Sequence, residues 1–586
     1  MSQTTDTYTL LRAFVDELVR CGMRAACTSP GSRSAPLTLT LASEPRLRSY
    51  SHVDERCAGF FALGLAKASH LPVAVACTSG TAVAELLPAA IEAREARVPL
   101  LLLSADRPAE LRENGAGQAI DQLKIFGDAA KWFFEVELRD AGATQLRWVR
   151  TLACRAYWTA LEGRPGVVHL NFPLREPLID ETPPSRDDSG RADGRPFLRR
   201  APTPPEHPQP HPELSELVAG ARHGVVVAGR HERETPLGQS AAAFAAAAGW
   251  PLLADPLSGA RRGPAAIAHY DALLSDQDFA RELVPDLIIR VGDLPVSKPL
   301  RGWLESLAGV RQVALDPEGA WQDPAAVLSD SLTLEPAAAL SALARGAIKP
   351  AAKEWLERWR HADRLAAEAI RGVLAESPIS EPAVAEELGV LLAEQTILFV
   401  ASSMPVRDIE TFWPVREDPP RVLCNRGANG IDGIVSAAFG AAAAGAPVVL
   451  LIGDVALAHD IGGLLAAGRL GLQLTIVLLN NDGGGIFDFL PIAGAAMSLT
   501  ADPSRPEQDI YTHHVATPTG LDFARAAALY GLAHERVQDL PGLRGALERA
   551  LAATGSSIIE IRTHRAENVM LHRSVWEAVA DAVAAS

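Results

Sequence analysis

Two short stretches place metal-binding donors at a telling distance. Gly453-Asp454 closes one apolar run and Asn480-Asn481 closes the next, with 25 residues between Asp454 and Asn480. A carboxylate and a side-chain amide are hard oxygen donors. They suit Mg2+ or Mn2+, which keep their remaining positions for water and phosphate oxygens. Gly483, Gly484 and Gly485 follow at once. Without side chains they let the backbone turn sharply, so the Gly483 carbonyl is a third candidate ligand. The intervening "VALAHDIGGLLAAGRLGLQ" has the length of one crossover helix, and a right-handed βαβ connection then sets the two strand ends side by side. Either half alone is compatible with an ordinary glycine-rich turn; their pairing at crossover spacing is what points to a cation.

These side chains need strand ends and loops to carry them. Apolar runs bounded by Ser, Asp, Gly or Asn recur in three groups: 72–80, 98–108 and 166–173; 223–230, 286–293 and 311–316; 395–408, 446–454 and 474–482. Runs apolar at consecutive positions are expected for parallel strands covered on both faces, with functional loops at their carboxyl ends. The fold class expected is α/β, with three doubly wound parallel-sheet domains. Residues 183–212 are rich in proline and charge and lack periodicity, as a linker would be.

Composition narrows the function. The net charge is −16 and no run of five Lys/Arg occurs, which argues against nucleic acid as a partner. Six cysteines are spread without a Cys-x-x-Cys pair, which suits a reducing cytoplasm and neither a zinc site nor a disulfide framework. The opening residues read as an amphipathic helix rather than a signal peptide, and no apolar run approaches the ~18 residues of a membrane span.

The Gly-Asp…Asn-Asn spacing resembles the metal motif of thiamine-diphosphate-dependent enzymes, with Val455 where many members have glycine. Within that family the chain resembles the 2-succinyl-5-enolpyruvyl-6-hydroxy-3-cyclohexene-1-carboxylate (SEPHCHC) synthases of menaquinone biosynthesis. The matching stretches are "TSPGSRSAPLTL", "VDERCAGFFALGLAK", "SADRP", "GQAIDQ", "SSMPVRD", "NRGANGIDG" and "NNDGGGIFDFLP", in order along nearly the whole chain. The resemblance implies a pyrimidine-binding domain over 1–182, a central α/β domain over 213–350, and a diphosphate- and metal-binding domain over 351–586. It implies thiamine diphosphate with Mg2+ (or Mn2+) as cofactors, and decarboxylation of 2-oxoglutarate followed by addition of the succinyl unit to isochorismate.

By the same resemblance, Glu55, at the start of the Ala/Gly/Phe-rich helix in "SHVDERCAGFFALGLAKAS", is the acid that activates the cofactor through its aminopyrimidine ring; desolvation near Phe60 and Phe61 raises a carboxyl's hold on its proton, and the helix macrodipole alone also favours an acid there. Ser403 and Arg407 lie near the 2-oxoglutarate carboxylate. Ser32, Arg33, Arg107 and Gln118 face the isochorismate side, and Arg426 sits with the former or between the two. Ile431 supports the bent cofactor, Gly453, Asp454 and Asn481 hold its diphosphate and metal, and Ile486, Phe487 and Leu490 wall the thiazolium. Lys298 stands where some relatives have a basic residue, beside Pro299 where a second one occurs in some, and Gly117 stands where some have asparagine. A homodimer or dimer of dimers is implied. Two alternatives stay open: another thiamine-diphosphate decarboxylase or carboligase, including an FAD-using one, and a non-catalytic nucleotide-binding scaffold.

Overall fold

Uninterrupted runs of Val, Leu, Ile and Ala form buried strands in three six-stranded, all-parallel sheets of the computed structural model, which describes residues 3–179, 187–200, 211–233, 235–346, 348, 350–493 and 510–585. The α/β class with three parallel sheets is as expected. Of the expected linker, residues 183–186 and 201–210 lie outside the described residues.

The first sheet has strands β1 (Ala25–Thr28), β2 (Arg48–Ser51), β3 (Val73–Cys77), β4 (Leu100–Asp106), β5 (Ala130–Glu135) and β6 (Val167–Pro173), in the order β2-β1-β3-β4-β6-β5. The second has β7 (Gly224–Ala228), β8 (Leu252–Ala254), β9 (Ala266–Ile267), β10 (Leu287–Val291), β11 (Arg311–Leu315) and β12 (Asp330–Leu332), in the order β12-β11-β10-β7-β8-β9. The third has β13 (Ile397–Val400), β14 (Arg421–Leu423), β15 (Val448–Gly453), β16 (Thr475–Asn480), β17 (Ala533–Val537) and β18 (Ser557–Arg562), and its order β14-β13-β15-β16-β18-β17 repeats that of the first.

The second sheet has the strand order of dinucleotide-binding folds, whose ligands lie where the order reverses, here between β7 and β10. There the loops after the two strands approach each other closely. A Cβ on Gly229 would lie 1.7 Å from the Asp293 carbonyl oxygen, and Arg230 pairs with Asp293 across the gap.

The chain clusters into two compact units. One comprises Met1–Thr203, Asn425–Ala446 and His459–Leu474; the other comprises Pro204–Cys424, Pro447–Ala458 and Thr475–Ser586. In the first unit, the helix Glu55–Ser69 packs on the helix Ile434–Ala442 through glycines. A Cβ on Gly64 would meet the Ala437 carbonyl oxygen at 1.8 Å, and one on Gly440 would meet that of Phe61 at 2.0 Å. Residues 187–200 are also anchored there: buried Arg150 bonds Asp187 and Ser189, and Phe197 N–H donates to Glu17. In the second unit, one apolar core runs continuously from the β7–β10 side of the second sheet to the third.

The connection from β15 to β16 departs from the single helix expected. It is a short helix Asp454–His459, a 3-10 turn Ile461–Leu464 and a second helix Leu465–Leu470. It breaks where buried Asp460 turns to accept Ser436 N–H and Oγ–H (2.7 and 3.1 Å), a tertiary demand that outweighs helix propensity.

Candidate functional site

In the second unit, β15 and β16 are hydrogen-bonded neighbours, with Gly453 opposite Leu479. Their carboxyl ends therefore present Asp454 and Asn480-Asn481 together, as the spacing predicts. Asp454 Oδ2 accepts the Gly483 N–H at 2.9 Å, which ties the glycine turn to the end of the neighbouring strand. Burial pushes the Asp454 carboxyl up to about 6, against the pull of that hydrogen bond.

Asn481 is buried, and among the described residues its amide is used on one side only: Nδ2 donates to Glu381 Oε1 at 2.8 Å, whereas Oδ1 is fully covered and has no hydrogen-bond partner there. A buried carbonyl oxygen without a donor costs about 1–3 kcal/mol, and a cation beside it removes that cost. The donor set of one carboxylate, one amide oxygen and nearby main-chain oxygens fits Mg2+ or Mn2+. Gly483 has φ +136°, a conformation in which a side chain is strained, and a Cβ there would lie 2.7 Å from the Ala516 carbonyl oxygen. Its own carbonyl accepts Gly485 N–H at 2.9 Å, leaving one lone pair for a ligand. Beyond it the 3-10 turn Gly485–Phe489 carries Ile486, half-buried, and Phe487, exposed; Leu490 follows, also exposed.

Also in this unit, Ser403 follows β13 and caps the helix Met404–Phe412 with φ +76° and ψ −131°, a region almost reserved for glycine. Arg407, one turn on, donates back to the Ser403 carbonyl. The two expected neighbours are thus held together. Lys298 is the exposed first residue of the helix Lys298–Ser306, and among the described residues no hydrogen bond or ion pair joins it to another candidate.

In the first unit, Glu55 opens its helix behind the capping Asp54 and is half-buried. Burial, followed by the charges of Asp54 and Glu85, raises its carboxyl above the ordinary range. Burial is the expected cause; the acidic neighbours add to it.

Arg33 and Arg107 are gathered close enough that, after burial, the Arg33 charge is the main influence lowering the hold of Arg107 on its proton. Arg33 donates to the Leu174 carbonyl (2.8 Å) and to exposed Glu176 (3.0 Å), and its buried Nε has no partner. Ser79, after β3, ties two candidates: its hydroxyl accepts from Arg107 and its carbonyl from Gln118 Nε2 at 3.0 Å. Ser32 is exposed in the turn before Arg33, where a Cβ on Gly31 would overlap Thr78. Two crowded guanidiniums with hydroxyl and amide groups beside them are chemically suited to carboxylates.

Arg426 and Ile431 belong to this same unit, both half-buried. The loop bearing Arg426 is held by Glu92, which accepts Gly427 N–H (2.9 Å) and Ala428 N–H (2.6 Å) and lies 3.5 Å from the buried ammonium of Lys67.

Ser79, Glu92, Glu381 and Thr563 go unmarked by the motifs, while Lys67 ends the matching stretch "VDERCAGFFALGLAK" without being singled out. Glu92 leaves a trace, as a charge inside the alanine-rich "PAAIEAREA". Glu381, at the first position of its helix, looks like any acid favoured by the macrodipole.

Three family models match in order: "Thiamine pyrophosphate enzyme, N-terminal TPP binding domain" over residues 8–125, "Middle domain of thiamine pyrophosphate" over 191–400, and "Thiamine pyrophosphate enzyme, C-terminal TPP binding domain" over 406–561. The chain is 43% identical to a 2-succinyl-5-enolpyruvyl-6-hydroxy-3-cyclohexene-1-carboxylate synthase of Geobacillus thermodenitrificans, covering 98% of this chain and 96% of that protein. It is 40% identical to the proteins of the same name from Listeria monocytogenes, covering 98% of each chain, and from Chloroflexus aurantiacus, covering 98% and 96%. With all three models in order and such identity over almost the full length of these relatives, the chain belongs to the SEPHCHC synthase family of thiamine-diphosphate enzymes.

Proposed function

We propose that the protein decarboxylates 2-oxoglutarate and joins the remaining succinyl unit to isochorismate, releasing carbon dioxide, with thiamine diphosphate and Mg2+ (or Mn2+) bound. The observation that carries it is the covered, partnerless Asn481 oxygen beside Asp454 at two adjacent strand ends, in a chain of this family. Bound thiamine diphosphate supplies a stabilised carbanion equivalent at its thiazolium carbon.

The chain's own residues do the rest. Asp454, Asn481 and the Gly483 carbonyl hold the cation, and Gly453 leaves room for the diphosphate. Glu55, protonated more readily than an ordinary carboxyl, donates to the aminopyrimidine ring. Ile431 supports the cofactor, and Ile486, Phe487 and Leu490 keep water from the reacting carbon. Ser403 and Arg407 take a carboxylate of 2-oxoglutarate. Ser32, Arg33, Arg107 and Gln118 orient isochorismate, with Arg426 serving the first substrate or both. Lys298 is a further contact for substrate.

The working form is a homodimer or dimer of dimers in the cytoplasm, each copy lending Glu55 to a cofactor held by another. The organisation follows the segments 1–182, 183–212, 213–350 and 351–586. Among the described residues no helix is long and apolar enough to cross a membrane.

The test is carbon dioxide release from 2-oxoglutarate and from pyruvate, each with and without isochorismate. Turnover of 2-oxoglutarate coupled to loss of isochorismate is expected; preference for pyruvate would overturn the assignment.

A further inference from the structure

Asn481 can present either end of its amide to a cation, and only the oxygen end binds one. What selects the end lies behind it. Glu381 Oε1 accepts Asn481 Nδ2–H at 2.8 Å and Thr563 Oγ1–H at 2.9 Å, and Glu381 itself is buried at the start of the helix Glu381–Leu391. Rotating the amide by half a turn would set Asn481 Oδ1 against this oxygen, two acceptors facing each other whenever the carboxyl is ionised, which burial works against by pushing Glu381 up to about 7. Thr563 cannot relieve that clash, because its hydroxyl proton is already committed to Glu381, while its backbone N–H is held by the Asn480 carbonyl at 3.1 Å. The oxygen left over is the one without a protein partner.

We propose that Glu381, braced by Thr563, is a positioning residue: it locks the Asn481 amide so that Oδ1, rather than the NH2 group, faces the divalent cation. The inference rests on Asp454 and Asn481 being cation ligands. Glu381 touches neither metal nor substrate and acts only through Asn481. Outer residues that orient metal ligands are typically worth about 10- to 100-fold in metal affinity.

The test measures Mn2+ affinity of the full-length chain with thiamine diphosphate present, by electron paramagnetic resonance of free Mn2+, beside a thermal melt of each variant. Glu381→Leu removes the acceptor and is expected to weaken Mn2+ binding by about 10- to 100-fold. Glu381→Gln keeps a carbonyl that accepts from both Asn481 and Thr563, and is expected to stay within about threefold of wild type, since the hydrogen bond rather than the charge sets the amide. A folded Glu381→Leu protein with wild-type Mn2+ affinity overturns the proposal, as does an equal loss in Glu381→Gln.

If Glu381→Leu does not fold, a double-mutant cycle of Glu381→Gln and Asn481→Asp decides. Two facing carboxylates in the Asn481→Asp single variant should bind Mn2+ worse than the double variant, in which the glutamine NH2 donates to Asp; additivity overturns the proposal. Asp454→Ala separates the two levels. Loss of affinity there with none in Glu381→Leu refutes the positioning role alone, whereas no loss in Asp454→Ala refutes the cation site itself.

Discussion

Replacing Asp454 by alanine separates what this residue does for the fold from what it does for the cofactor. In the folded protein its carboxylate accepts the Gly483 N–H at 2.9 Å, and the backbone N–H groups of Asp454 and Val455 also bond to it. Removing the acceptor leaves the buried Gly483 N–H unpaired, at about 1–3 kcal/mol. Against this, the variant no longer buries a charge, whose discomfort is visible in a carboxyl pushed up to about 6. The two effects oppose each other, so the net loss of stability in the absence of ligands should stay below about 2 kcal/mol.

Cofactor binding should respond on a different scale. Disturbing a residue behind a metal ligand already costs about 10- to 100-fold, so deleting an anionic ligand should cost at least about 100-fold. Titration calorimetry with thiamine diphosphate at saturating Mg2+, beside a thermal melt without either, reads both quantities on one preparation. Near wild-type cofactor affinity in a folded Asp454→Ala protein would refute a cation bridge at these strand ends. A collapse of the unliganded fold would show instead that the carboxylate is structural.

Three other outcomes follow from the same geometry. Glu55→Gln should bind thiamine diphosphate within a few-fold of wild type yet lose about 10²- to 10⁴-fold in turnover, the usual contribution of a positioned acid–base group; a variant with full turnover would remove Glu55 from the chemistry. Gly64→Ala should destabilise the chain by about 3 kcal/mol or more on a chemical denaturation curve, because its new Cβ would lie 1.8 Å from the Ala437 carbonyl oxygen and two helix backbones must part; a neutral effect would mean that the helices are not in contact.

The third concerns Asp460, whose carboxyl burial raises to about 6 from an ordinary value of 3.8. Between those values the folded protein keeps a proton that the unfolded chain has lost. Its contribution to stability is therefore greatest below about pH 4, falls as pH rises to about 6, and is flat beyond, a swing of about 3 kcal/mol. Asp460→Asn lacks this slope, so its stability relative to wild type should rise across that window in melts at successive pH values. A constant difference would show that Asp460 ionises as it would in water.

Much of this protein is legible in its sequence, for local reasons. The nine strands foreseen are largely apolar runs, as a sheet covered on both faces accommodates, and each run forms a strand. The nine missed, such as Arg48–Ser51, Ala266–Ile267 and Ala533–Val537, are short or mixed in polarity and become strands because a neighbour pairs with them. Asp454 and Asn481 can be paired from spacing alone, since the crossover rule converts chain separation into adjacency. The break in that crossover cannot, because it depends on Asp460 reaching Ser436, a residue 24 positions earlier.

The amino-acid order by itself therefore determined the fold class and the adjacency of the strand ends bearing Asp454 and Asn481, which follow from runs and spacings along the chain. Tertiary structure alone decided which end of the Asn481 amide is left bare, that Arg33 and Arg107 crowd one another, and that Glu92 and Lys67 support the loop of Arg426. Each of these is a hydrogen bond or charge contact between residues far apart in sequence, where direction and distance matter and residue type alone carries neither.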